Sequence, residues 1–246
     1  AAADKGNEAQ DATAEAVLEM HGPGGSMRPE DWASLQQRVN EDDNAQWPEE
    51  PTQAMAHAIY NIIRGLDQHS AGSISGLQNS DLTPLVRQVS AVEWAGKPGL
   101  SKFALEDYPK IYGLVRLVYK IATNQINTGG HGGKSLRATK LVLIAKKPTG
   151  IRPIAVGETL RRIAGRFVTR WLKEKIITAL GPYQYAMQSN GTTKLVLAAR
   201  NTLEKHPDFV MLAPDAKNAF NAQSRRQGIT RMCEEIPGLT PITQMG

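Results

Sequence analysis

The stretch Lys140–Gly157, KLVLIAKKPTGIRPIAVG, decides how this chain folds. Two apolar, β-branched runs flank Pro148-Thr149-Gly150. Proline presets its own φ and glycine accepts a positive one, so Pro then Gly over so short a span is turn chemistry and predicts a β-hairpin. Cations stand near its tip: Lys146 and Lys147 on one strand, Arg152 on the other. An edge hairpin uses such charges against aggregation. The same charges can fold over a triphosphate, where Arg adds fork-like bidentate contacts. The residues alone leave both uses open.

Immediately after the hairpin, Leu160, Ile163, Phe167 and Trp171, with Ile176 and Leu180, recur at helical intervals. They predict one amphipathic helix over Glu158–Leu180, ended by Gly181 and Pro182. Its other face carries Arg162, Arg166 and Arg170, with Lys173 next. Across residues 134–175 there are 12 Lys/Arg against Glu158 and Glu174, more than a solvated face needs, which points to phosphate or nucleic-acid contact.

Further helices are expected at Pro29–Val39, with Glu30 and Asp31 in its first turn, and over residues 51–66, where Met55, Ile59, Ile62, Ile63 and Leu66 make one stripe. Others are expected at Asp81–Val89, Lys110–Asn127, Thr192–Lys205 and Gln223–Glu235. Small-residue loops are expected at His69–Gly76 and over residues 128–133. The apolar run Asp208–Leu212, DFVML, reads as a short buried strand ending near Asp215. This mixture predicts an α+β chain.

The charge is divided unevenly. Residues 1–50 hold 3 Lys/Arg and 12 Asp/Glu, whereas residues 51–246 hold 26 and 12. The first segment reads as an acidic, mostly disordered arm, and the basic body suggests a polyanionic partner. A single cysteine, Cys233, excludes an internal disulfide, and the scattered histidines lack zinc-ligand spacing. No apolar run approaches the roughly 20 residues of a membrane span, and the N-terminus lacks a secretion pattern. An intracellular location, nucleus or cytoplasm, is expected, with no membrane partner. Both ends read as cuts from a longer frame. Thr128–Ser135, TGGHGGKS, has Thr where a phosphate loop needs its first Gly, and it follows a helix rather than a strand, so that motif is excluded.

Three segments in order, Ser70–Leu77 (SAGSISGL), Arg152–Arg162 (RPIAVGETLRR) and Asp215–Asn221 (DAKNAFN), resemble reverse transcriptases of the non-LTR retroelement type across about residues 65–240. The resemblance implies an incomplete right-hand polymerase, with helical and β-hairpin fingers over residues 51–206 and the start of a palm over residues 207–246. It implies an RNA-directed DNA polymerase that extends a DNA primer on an RNA template with dNTPs, using two Mg²⁺ (or Mn²⁺) ions. Asp215 would be the first metal-binding carboxylate, with Ala216 and Ala219 at the nucleotide and Phe220 as a gate against a ribose 2′-OH. Arg152, with Lys146 or Lys147, would hold the triphosphate. Arg162, Arg166, Arg170, Lys173 and Gln184 would face nucleic acid. The family's aromatic-x-Asp-Asp motif is missing, so these 246 residues are expected not to polymerise by themselves. The alternative is a non-catalytic nucleic-acid-binding protein derived from such an element. A polymerase making RNA fits the metal chemistry but not a bulky Phe220. Template, target site and oligomeric state are not legible.

Overall fold

The structure, a computed structural model, describes residues 27–42, 46–70, 72–94, 105, 108–126, 131–145, 151–215 and 224–244, with backbone alone for residues 88–94. It is α+β: ten α-helices and one two-stranded antiparallel sheet among the described residues. The helices are α1 (Pro29–Glu41), α2 (Gln53–Arg64), α3 (Asn79–Trp94), α4 (Pro109–Ala122), α5 (His131–Arg137), α6 (Thr159–Trp171), α7 (Lys173–Leu180), α8 (Gly191–Lys205), α9 (Arg225–Glu235) and α10 (Thr240–Gln244). The strands β1 (Thr139–Ala145) and β2 (Ile151–Gly157) lie between α5 and α6. No described helix is long and apolar enough to cross a membrane.

The chain divides into two units. One comprises Val39–Leu172 and the segment from Pro237, and its core is the mutual packing of α2, α4 and α6. The stripes on these helices explain why they meet. Ile59 and Ile63 of α2, Val115, Val118 and Ile121 of α4, and Ile163 and Phe167 of α6 are all buried. Phe167 and Tyr119 are fully buried, with ring centroids 6.2 Å apart. The Trp47 ring packs at 5.8 Å from Phe167, and its indole N–H donates to the Gly238 carbonyl at 3.0 Å. Tyr119 donates its hydroxyl to the Pro48 carbonyl at 2.6 Å. Desolvation, and then the nearby Glu50 charge, push that phenol up to about 12.

Local sequence sets the ends of these helices. The Thr52 hydroxyl accepts the Met55 N–H at 3.4 Å and caps α2. Pro109 opens α4, which stops at Ala122, short of the expected Asn127, where Asn124 takes a left-handed φ of 55°. The hairpin pairs as expected, from Thr139↔Gly157 to Ala145↔Ile151. Pro153 is tolerated because β2 is an edge strand.

Three further expectations are corrected. The supposed loop over residues 128–133 holds the start of α5. Two adjacent glycines oppose a helix by propensity, but Gly133 is buried, and Arg161 of the packed α6 donates to the last carbonyl of α5. The single helix expected over Glu158–Leu180 is two, because buried Leu172 closes α6 at φ −93° and ψ 11° before α7 starts. No Gly or Pro marks that break.

The third correction falls in the second unit, formed by the segment ending at Arg38 and Lys173–Ile236. The run over residues 208–212 is neither a strand nor buried: Val210 is 83% exposed and Leu212 85%. An apolar strand needs a ladder partner, and the only described sheet is β1–β2. Instead the Phe209 ring stacks on His206 at 4.5 Å, while Met211 and Leu212 line an open groove with Leu195 and Val196 of α8. In the same unit α1 is tied to α9, where Arg226 pairs with Asp31 at 2.8 Å. Hydrogen bonds from Arg28 and then Arg226 hold the Asp31 carboxyl down to about 2.

The aromatic cluster makes Phe167 the most consequential side chain of α6. Phe167→Ala should destabilise the chain by about 3–5 kcal/mol, read as a lower denaturant midpoint at unchanged slope.

Candidate nucleic-acid interface

The site begins with one acid. Between residues 131 and 173 the sequence holds 11 Lys/Arg and a single carboxylate, Glu158. Glu158 sits at the junction of β2 and α6 and is only 4% exposed. Its carboxylate does not serve the cations around it in sequence. It accepts the Ser73 hydroxyl at 2.8 Å, the Ser75 hydroxyl at 2.8 Å and the Ser75 N–H at 2.9 Å. The next residue, Thr159, donates its hydroxyl to the Leu77 carbonyl at 2.7 Å. Burial raises the carboxyl's pKa, but hydrogen bonds from Ser75, Ser73 and the Thr159 N–H outweigh it, and the group lies below its ordinary value. Ser73 is itself buried and Gly76 holds φ at 84°, the left-handed turn that wraps the loop around the acid.

With Glu158 committed, the basic residues around it have no acid partner among the described residues. Among the described residues none of Lys134, Arg137, Lys140, Arg152, Arg161, Arg162, Arg166, Arg170 and Lys173 forms a salt bridge. Elsewhere basic side chains do find acids: Arg116 and Lys120 share Glu50, Arg200 pairs with Glu204, and Arg231 with Glu235.

The fold displays these cations in a set order. Buried Ile163, Ala164, Phe167 and Val168 fix the inner face of α6, so Arg162, Arg166 and Arg170, four residues apart, occupy the outer one. Arg166 and Arg170 are exposed. Arg162 donates to the Thr159 hydroxyl at 3.2 Å, and its buried Nε–H has no partner. On the hairpin, Arg152 faces Ile144 and Lys140 faces Val156, positions that fall on one side of the ribbon. Arg161 lies on the flank of α6 nearer α5 and donates to the Arg137 carbonyl at 3.4 Å.

Other expected site residues are not gathered here. Lys146, Lys147, Ala216, Ala219 and Phe220 fall outside the described residues. Lys173, Gln184 and Asp215 belong to the other unit. Gln184 is an exposed turn residue whose side-chain oxygen accepts the Ala186 N–H at 3.0 Å. Asp215 is exposed and follows irregular chain rather than a buried strand. Among the described residues no three His, Cys, Asp or Glu side chains converge. One exposed carboxylate does not hold two hard cations in register, so the described residues do not fit the metal pair.

Sequence reading missed Ser73, Ser75 and Glu158 as a unit, and Arg137 and Arg161 as neighbours. The signal for the first was a lone acid in a basic run, matched by a serine-rich loop about 80 residues earlier. No family model matches the chain, and neither curated proteins nor solved structures give a match to it.

The clasp has a definite pH signature. Because the folded carboxyl titrates below its ordinary value of 4.5, its contribution is complete above that pH and is lost as pH falls through the lowered value. Glu158→Ala leaves buried donors unmet and should cost about 3 kcal/mol at neutral pH. Glu158→Gln should flatten the acid limb of the stability profile. Unchanged unfolding midpoints in both variants would contradict the clasp.

Proposed function

We propose that this chain binds nucleic acid through the basic surface of β1, β2, α5 and α6, as the fingers portion of an RNA-directed DNA polymerase of the non-LTR retroelement type. The observation that carries the binding is the set of cations that have no acid partner among the described residues. Phosphates are the ligand such a surface is suited to, because each neutralised phosphate releases condensed counterions. Arginine adds paired donors that match phosphate oxygens.

The polymerase part rests on the resemblance, and one contact supports it. Two of the three segments that carry the resemblance, SAGSISGL and RPIAVGETLRR, touch through the hydrogen bonds of Ser73 and Ser75 to Glu158. Segments about 80 residues apart that share a buried clasp behave as one structural device. That device sits at the foot of the strand bearing Arg152, the residue proposed for the triphosphate. In the whole enzyme the partners would be an RNA template, a DNA primer and dNTPs, with Mg²⁺ or Mn²⁺ at Asp215 and further carboxylates.

The exposed, irregular setting of Asp215 favours a second reading, a non-catalytic nucleic-acid-binding protein derived from such an element. Both readings share the binding and differ in chemistry.

Titrating the purified chain with a single-stranded oligonucleotide at several salt concentrations tests the shared part. About five phosphate contacts give a slope of about −3.5 in log K against log salt. Replacing Arg162, Arg166 and Arg170 together with Gln should reduce that slope by about 2. Binding that is absent or indifferent to salt would contradict the proposal. Template-primer extension by the 246 residues is expected to be nil. Extension that Asp215→Ala abolishes would overturn that expectation.

A further inference from the structure

Arg137 and Arg161 come from different helices and meet where α5 packs on α6. Both are partly buried, and no carboxylate among the described residues pairs with either. The single hydrogen bond between them runs from an Arg161 Nη to the Arg137 main-chain oxygen at 3.4 Å. That bond uses one of five guanidinium donors and caps the end of a short helix. It leaves the remaining Arg161 donors and the whole Arg137 guanidinium without a described partner.

Holding two cations together in a partly desolvated place is unfavourable by itself. Burial first, and then the Arg137 charge, lower the Arg161 pKa from its ordinary guanidinium value. Helix capping alone does not account for the second cation, since Arg137 contributes only its carbonyl to it. An anion with several oxygens would satisfy both forks and relieve the repulsion. The surrounding sequence says which anion. The pair lies in a stretch whose one acid, Glu158, is sequestered, and which also exposes the cations Lys134, Arg166 and Arg170. A stretch with that many cations suits a chain of phosphates more than a single small anion.

We propose that Arg137 and Arg161 form a two-arginine clamp on one backbone phosphate of a bound nucleic acid, anchoring the strand where α5 meets α6. This rests on the nucleic-acid reading above and deepens it, adding an anchor point that the outer face of α6 does not supply.

The test is a set of oligonucleotide titrations on the full chain with wild type, Arg137→Gln, Arg161→Gln, the double variant, Arg161→Lys, and Arg231→Gln as a control. Arg231 lies on another element and is paired with Glu235. Each clamp variant should weaken binding roughly tenfold and flatten the salt slope by about 0.7. The double variant should lose less than the product of the two singles, because one phosphate is shared. Arg161→Lys should recover only part of the loss, and Arg231→Gln should match wild type. Unfolding midpoints accompany every variant. Should Arg161→Gln unfold, Arg137→Gln carries the test, since the Arg137 side chain has no described hydrogen bond.

Wild type that fails to bind in a salt-dependent way removes the nucleic-acid reading itself. Wild type that binds, with both single variants unchanged in affinity and slope, removes only the clamp. Fully multiplicative losses would assign the arginines to separate phosphates and overturn the shared grip. Binding of a dNTP that Arg161→Gln abolishes, with oligonucleotide binding intact, would give the pair to the nucleotide instead and also overturn it.

Discussion

The Glu158 carboxylate is the constraint around which the basic region is organised. It is the one acid among eleven cations between residues 131 and 173, and the fold removes it from electrostatic service. A buried carboxylate without a cation would ordinarily be unfavourable. Here two serine hydroxyls and a main-chain N–H take the place of a positive partner. The consequence reaches past the clasp. Had Glu158 remained on the surface it would pair with an arginine one turn away, and part of the positive field would be cancelled. Buried, it ties residues 73–77 to the end of β2 and leaves the arginines available.

Helix α6 links core and surface. Its inner face supplies Ile163 and Phe167 to the packing with α2 and α4, which fixes the rotation of the helix about its axis. That rotation sets where Arg162, Arg166 and Arg170 point, and it places Arg161 on the flank toward α5. The hairpin is different in kind. Leu141, Leu143, Ile144, Ile151 and Ile154 are all substantially exposed, so the ribbon stands without cover among the described residues. A two-stranded ribbon with no packed face is only marginally stable by itself. One of its ends, Gly157–Glu158, is attached directly against the clasp.

What the sequence revealed follows from how local each signal is. The hairpin, the amphipathic helices and the outer arginine stripe depend on spacing within a dozen residues, and the structure has them. The clasp between Ser73 and Glu158 depends on contact across 85 residues, which periodicity does not encode. Helix α5 was hidden because its glycines argue against a helix, and tertiary packing with the Arg161 cap overrides them. The break at Leu172 has no glycine or proline to announce it. The run DFVML was misread for a related reason. Apolar character says that a segment seeks cover, but only a neighbouring strand makes it part of a sheet, and none is present among the described residues. Asp215 was legible as a residue and not as a site, because a metal centre requires several carboxylates brought together.

Photo-crosslinking of a bound oligonucleotide, followed by mapping of the linked peptides, locates the surface that nucleic acid occupies. Crosslinks should concentrate between residues 131 and 171, disappear at high salt, and be displaced or diminished in Glu158→Gln, where the clasp is weakened. Crosslinks that fall instead on residues 191–215, or that persist unchanged at high salt, would contradict that placement.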